Sequence, residues 1–401
     1  MKGLAIRMGL MLASVLLTLL VFEGFLRLFY NYRGNLKQMS QFDPDLGWGL
    51  VPGTYHVGRS HALVSHDIHI NDLGLRNREI SMHPAQGTKR VVMLGDSFTF
   101  GMMVPAEDLL ASVAERELVR RGHEIEVVNT GLEGYGTAQQ LILTRRLHEQ
   151  GFRADIFVVA FYTNDLIDNL GLSPVDFQPQ LVIPRFARTP QGGVALVHAP
   201  EFRFHQRGSI TQSGGTGFRL HTKDFVISRV IGILQSRGGL VKLAQRLGIE
   251  GPRTWIPSMV RGWYDAEFSD PGWDLTTALL LELRREVRSH GADLAIAFIP
   301  SIVQIYDAYP LLLGQRYPDD PRVRAFLDDP LKPQGMMEDF CRREEIPYLD
   351  LEAAIREQGS EGKIYSTADY HLSSAGHQIV GEEIAALVTH LLADASRVRS
   401  R

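Results

Sequence analysis

The sequence predicts a doubly wound α/β domain on a five-stranded parallel sheet, with an N-terminal membrane anchor and one long insertion. Three observations predict it. Short apolar runs alternate with helical stretches, the pattern of strands joined by crossover helices. The runs are nearly continuous rather than alternating, as strands covered on both faces require. The polar residues fitted for chemistry fall just after strand ends, the edge where such sheets form their sites.

Lys89-Arg90 opens the first strand, Val91-Val92-Met93-Leu94, which runs into Gly95-Asp96-Ser97. A helix follows from about Ala106 to Arg121, with Leu109, Leu110, Val113 and Leu118 on one broad face. The second strand is Glu126-Val127-Val128-Asn129, followed by a helix from roughly Ala138 to Gln150. The third is the most apolar, Ile156-Phe157-Val158-Val159-Ala160-Phe161-Tyr162. Regularity is then lost. Residues 173–272 are rich in Gly, Pro and Arg and read as an insertion whose Trp255 and Trp263, like the adjoining Trp273, are packing residues rather than a ligand cage. The rhythm resumes with a helix near 274–289, the strand Leu294–Ile299 and, after another irregular stretch, a helix around 333–344. A short strand, Tyr348-Leu349-Asp350, precedes a last helix from about Ser373 to Ala393, capped by Ser373 or Ser374. Five strands with these crossovers give a sheet of flavodoxin-like order. This α/β domain is expected over residues 89–393, with a tail at 394–401.

At 401 residues, one large domain with insertions and two domains are both open. A composition 44% hydrophobic and 22% charged is enough for a sizeable core. The balance of 42 Lys and Arg against 46 Asp and Glu lacks the basic face of a nucleic-acid binder. The single Cys341 excludes an internal disulfide and a cysteine-based metal site.

The first 32 residues carry the targeting signal. Lys2 and Arg7 precede an apolar run from Gly9 to Phe22, short for a spanning helix and suited to a signal-peptide core. No A-x-A-like cleavage site follows, and apolar character resumes through Phe25, Leu26, Leu28, Phe29 and Tyr30. Glu23 and Arg27 can pair at i,i+4, and Tyr30 and Tyr32 fit an interfacial belt. The reading preferred over a cleaved signal or a core helix is an uncleaved, single-pass anchor with the α/β domain outside the cytoplasm. Arg27, Arg33 and Lys37 roughly balance Lys2 and Arg7, so charge alone does not fix orientation. Residues 33–88 are polar and turn-rich, a juxtamembrane linker and strand-rich lead-in; the stretch from His66 to Arg76 is expected to pack on the catalytic domain.

Gly95-Asp96-Ser97, Asn129 to Gly136, and Thr163-Asn164-Asp165 follow the first three strands and so share one sheet edge. Asp369-Tyr370-His371 lies before the last helix. Ser, Asp and His in that chain order are one arrangement known to build a triad. A serine hydroxyl is a poor nucleophile without a base beside it. His371 could take the Ser97 proton and return it to the leaving alkoxide. Asp369 would hold the imidazole tautomer, since i and i+2 project to one side of an extended loop. The Ser97 and Gly134 N–H groups and the Asn164 amide are candidate donors to an oxyanion. Neither a metal nor an organic cofactor is expected.

These residues resemble the SGNH, or GDSL, hydrolases. Gly95-Asp96-Ser97-Phe98-Thr99-Phe100-Gly101 is similar to that family's first block, Val128-Asn129 through Gly134 to its glycine block, and Asn164-Asp165 to its asparagine block. Asp369-Tyr370-His371-Leu372 with Ala375-Gly376-His377 is similar to its last block. The resemblance covers about 89–172 and 274–393. It implies a three-layer α/β/α domain and ester hydrolysis through Ser97, Gly134, Asn164 and His371. Two features depart from the pattern. Tyr162 holds the usual glycine position of the third block. Asp369 stands two rather than three residues before His371, with Ala368 at the other position, so a Ser–His dyad stays open beside the triad.

Each residue also has a plainer reading. Ser97 could cap a helix, Asp96 could bond nearby N–H groups, Asp165 could be a cap, and Gly134 could serve its turn alone. His377 reads as a helix residue, and His56, His61, His66 and His69 as surface histidines. With these weighed, the expected function is cleavage of an O-acyl ester on an acylated carbohydrate or lipid-linked substrate, such as O-acetyl on a surface polysaccharide. An O-acyltransferase using the same site and a catalytically silent, membrane-tethered carbohydrate-binding protein are the alternatives.

Overall fold

The computed structural model describes residues 39–57, 65–171, 181–202, 257–358, 364–366 and 370–399, with isolated positions between 7 and 22. The chain forms two compact units, one of residues 1–35 with 212–255 and one of residues 36–211 with 256–401. Nearly all of the first lies outside the described residues, including most of the expected anchor and much of the insertion. Among the described residues no helix is long and apolar enough to cross a membrane.

The second unit opens with two antiparallel hairpins, β1 (Ser40–Asp43) with β2 (Gly47–Leu50) and β3 (Gly53–Val57) with β4 (His66–Ile70). The central sheet begins at β5 (Lys89–Gly95), followed by the short α1 (Ser97–Phe100), α2 (Leu110–Arg120) and β6 (Ile125–Asn129). Next come α3 (Thr137–Glu149), β7 (Ile156–Tyr162) and α4 (Asp165–Asn169). Part of the insertion forms two small strand pairs, β8 (Leu181–Val182) with β11 (Glu201–Phe202) and β9 (Arg185–Arg188) with β10 (Val194–His198). Helices α5 (Ser258–Tyr264) and α6 (Ala266–Ser289) lead to β12 (Asp293–Ile299). Three further helices, α7 (Ile302–Ile305), α8 (Ala308–Arg316) and α9 (Pro321–Asp328), fill the stretch read as irregular. The chain continues through α10 (Lys332–Arg343), β13 (Tyr348–Asp350), α11 (Glu352–Gln358) and α12 (Ser374–Arg399).

The five central strands are parallel in the order β13-β12-β7-β5-β6, the flavodoxin-like order expected. The order in which strands are added reverses at β5, so the crevice at the topological switch point lies beyond the carboxyl ends of β5 and β7. Strands β5, β7 and β12 are buried almost throughout, which explains their unbroken apolar runs. Helices α2 and α12 pack on each other, as do α3 and α6, giving the two outer layers.

Two helix boundaries differ from the sequence reading. Helix α6 starts at Ala266 rather than near 274 and carries Pro271 inside it. Its start is capped by Asp265, which accepts from the Glu267 amide at 3.2 Å. A Pro-Gly pair reads as a breaker, but a Cβ on Gly272 would lie 2.8 Å from Leu166 Cγ, so the glycine admits α4. The last helix runs on to Arg399, through most of the expected tail.

Helices α2 and α12 approach so closely that a Cβ on Gly381 would meet Val113 Cβ at 2.6 Å and Leu110 O at 2.7 Å. A Gly381→Val substitution is expected to destabilise the fold by about 1–3 kcal/mol through overpacking. Urea unfolding would measure this, and an unchanged midpoint would contradict the close crossing.

Candidate active site

Strand β5 delivers Ser97 to the sheet edge by a tight turn. Asp96 caps α1, its Oδ1 accepting from the Phe98 amide at 2.9 Å. Only four residues later Gly101 ends the helix at φ +69°, a left-handed conformation that favours glycine. Gly95 admits the Thr99 side chain where a Cβ would clash. The result is a serine whose Oγ lies 2.8 Å from His371 Nε2.

His371 is held from the other end of the domain. Its carbonyl accepts from Ser366 N–H, the Ser366 carbonyl accepts from Tyr370 N–H, and Ser373 N–H donates to Ile364 O, each at 2.8 Å. Tyr365 bridges Leu372, and its hydroxyl donates at 2.5 Å to Pro300 O, just beyond β12. Tyr370 adopts φ +67°, unusual for a non-glycine residue. The imidazole also lies 5.0 Å from the Phe98 ring, which stacks on Tyr162 at 3.8 Å. Tyr162 thus uses the expected glycine position for packing. Asp369 and Ala368 lie outside the described residues.

The loop after β6 crosses over α1. Asn129 is its organiser, with Nδ2 donating to Thr99 O and Oδ1 accepting from Gly131 N–H, both at 2.9 Å. A Cβ on Gly131 would meet Phe100 N at 2.7 Å, so this crossing needs glycine. Further along, Gly134 has φ +74° and would place a Cβ 3.4 Å from the Trp48 ring. Tyr135 donates at 2.5 Å to Trp48 O, and Gln139 Nε2 donates to Leu46 O at 3.0 Å. Leu46 and Trp48 of the lead-in therefore pack against this loop.

Asn164 stands at the start of α4, its carbonyl accepting from the Ile167 and Asp168 amides. Its Oδ1 has no hydrogen-bond partner among the described residues. Asp165 is the first residue of α4 and is fully buried, consistent with a structural role.

Burial raises the Asp96 carboxyl to about 6, opposed by the Phe98 amide, the charge of His371 and the Asn164 side chain. Asp165 is held well above the usual carboxylate range by burial and by the negative Asp96 and Asp168. His377, on α12, accepts from Leu110 N–H at its Nδ1 at 3.1 Å, and burial with the nearby Arg76 charge lowers it to about 3. It is a neutral support, not the base. A cleft of about 150 Å³ opens beside His371, between Met102 and Met103 on one loop, Glu133 on another, and Leu372.

Sequence reasoning did not single out Trp48 or Glu133, placed Asn129 in the second candidate block without giving it a role, and gave Arg76 no role beyond packing. Polar groups on an arm carry no periodic signal, although the Asn77 side chain bracketing Asn129 (Nδ2 to O at 2.5 Å, Oδ1 from N–H at 3.1 Å) shows how firmly that arm docks. Among the described residues one group has the makings of a metal site: the ligand atoms of His148, Glu286 and His290 lie within 4.8 Å of one another. Both imidazole Nδ1 atoms already address Glu286 Oε1, at 2.8 and 3.3 Å, while Arg145 stands 3.6 Å from Oε2. The carboxylate oxygens are thus already engaged by their neighbours, and the cluster ties α3 to α6.

No protein-family model matches the chain, and no curated protein matches it. Solved structures similar to it include a member of the lipolytic protein G-D-S-L family from Veillonella parvula, 10% identical with a TM-score of 0.36 over 75% of this chain and 98% of that one. A lipase/acylhydrolase from Enterococcus faecalis is 12% identical, with a TM-score of 0.34 over 74% and 94%. A psychrotrophic esterase from Pseudoalteromonas is 9% identical, with a TM-score of 0.37 over 76% and 99%.

As pH falls, the unfolded chain takes up the His377 proton from about 6.5, whereas the folded protein resists until about 3. Stability is therefore expected to fall with acidity across that window by about 1.4 kcal/mol per pH unit from this residue. His377→Asn keeps an acceptor for Leu110 but cannot titrate, so urea unfolding from pH 6.5 to 4.5 should show a shallower slope. Asp96 contributes equally to both proteins and cancels. Parallel slopes would contradict the buried neutral imidazole.

Proposed function

We propose that this chain is a serine ester hydrolase with Ser97 as nucleophile and His371 as general base. The observation that carries the reading is the 2.8 Å separation of Ser97 Oγ from His371 Nε2 at the switch-point edge of the sheet. At that distance the imidazole can take the hydroxyl proton as Oγ attacks the ester carbonyl. The proton then passes from Nε2 to the departing alkoxide, leaving an acyl-serine. Water, deprotonated by the same imidazole, attacks the acyl carbon, and its proton returns to Ser97 as the acid leaves. Asp369 is assigned to hold the His371 tautomer.

The Ser97 and Gly134 N–H groups and the Asn164 amide are the proposed oxyanion donors. The positive φ of Gly134 supports its assignment, and the hydrogen bond from the Asn164 side chain to Asp96 places that amide next to Ser97. A cleft of about 150 Å³ is smaller than the roughly 300–1,000 Å³ of pockets for drug-sized ligands, which supports a short acyl group. The apolar run from Gly9 to Phe22 supports membrane attachment through residues 1–32, with the esterase outside the cytoplasm acting on acylated carbohydrate or lipid-linked esters.

Ser97→Ala and His371→Ala are each expected to lower kcat on p-nitrophenyl acetate by at least about 1,000-fold. A fluorophosphonate should label Ser97 in the wild type, as read by peptide mass mapping. Equal rates in all three proteins would leave a binding protein as the better reading. Asn164→Ala is expected to cost about 100- to 1,000-fold in kcat with KM little changed. A change confined to KM would remove Asn164 from the oxyanion site.

A further inference from the structure

The lead-in also supplies a buried cation that the proposed reaction does not use. Arg76 is 3% exposed. Its Nη1 donates to Phe100 O at 2.8 Å and Gly101 O at 2.5 Å, and its Nη2 donates to Val104 O at 2.7 Å. These carbonyls end the nucleophile helix and begin the loop beyond it. The guanidinium also lies 5.5 Å from the Phe100 ring.

A charge in such a place is costly. Its Nε has no hydrogen-bond partner among the described residues, and burial lowers its pKa to about 9, with Glu133 and Glu107 only partly offsetting the effect. An apolar side chain could fill the space without that penalty. A rigid, planar fork with several donors can instead fix three diverging carbonyls at once, which a lysine ammonium does poorly. What it fixes is the cleft: Gly101, Met102 and Met103 form its wall beside His371. The same loop rests on His377, whose Cε1 would lie 3.1 Å from a Cβ on Gly101.

We propose that Arg76 is a positioning residue that sets the width of the cleft beside His371 and thereby the acyl chain length accepted, an inference that rests on the esterase reading above. The test uses the full chain and compares kcat/KM for p-nitrophenyl acetate and octanoate in wild type, Arg76→Lys, Arg76→Met and Met102→Ala. The ratio of the two values is independent of how much protein is folded. Acetate preference is expected to fall by about tenfold or more in both Arg76 variants and in Met102→Ala, which opens the wall directly. A uniform loss on both esters, with the wild-type ratio kept in Arg76→Lys, would mark a merely structural residue and overturn the proposal. Should neither Arg76 variant fold, an unchanged ratio in Met102→Ala would overturn it, and a tenfold change would support it. Wild-type protein inactive on every ester would overturn the esterase reading first, and this one with it.

Discussion

A single hydrogen bond joins side chains 274 residues apart, and the candidate site has no chemistry without it. Neither partner is held by its sequence neighbours alone. Ser97 depends on a four-residue helix pinned at one end by the Asp96 cap and at the other by Gly101. His371 depends on a short antiparallel ladder that Tyr365 ties to the end of β12. Because β5 and β12 flank β7 in one buried sheet, the rigidity of that sheet transmits to a distance between two loop side chains. Close packing makes this possible, since a core that resists compression resists drift at its edge.

The surroundings are electrostatically tense. Asp96 and Asp165 are buried carboxyls whose charged forms are disfavoured by the low-dielectric interior, and Asn164 stands among them. His377 lies on the helix that follows His371, yet burial keeps it uncharged while His371 remains partly open to the cleft. Two histidines six positions apart thus receive opposite environments, one bonded to a main-chain amide and the other to a hydroxyl.

Much of the sheet was legible because burial on both faces writes itself as continuous apolar sequence. The third and fifth strands, Ile156–Tyr162 and Tyr348–Asp350, match the sequence reading residue for residue. Helix α6 began earlier than expected because Pro271 and Gly272 resemble a terminus, while Gly272 in fact lets α4 pack closely. Helices α7 to α9 escaped notice because each is too short to show a sustained period. At the site, Ser97 and His371 could be named because nucleophilic chemistry demands those residue types in that order. Trp48 and Arg76 could not, since their importance comes from distant partners: a glycine turn for one and three carbonyls for the other.

The wide separation of the two partners along the chain also has a consequence in time. Ribosomes add about 5–20 residues per second, so the imidazole is made roughly a quarter of a minute to a minute after the hydroxyl. Throughout that interval the emerging polypeptide carries an inert alcohol. The hydroxyl–imidazole pair comes into being only with the closing of the fold itself.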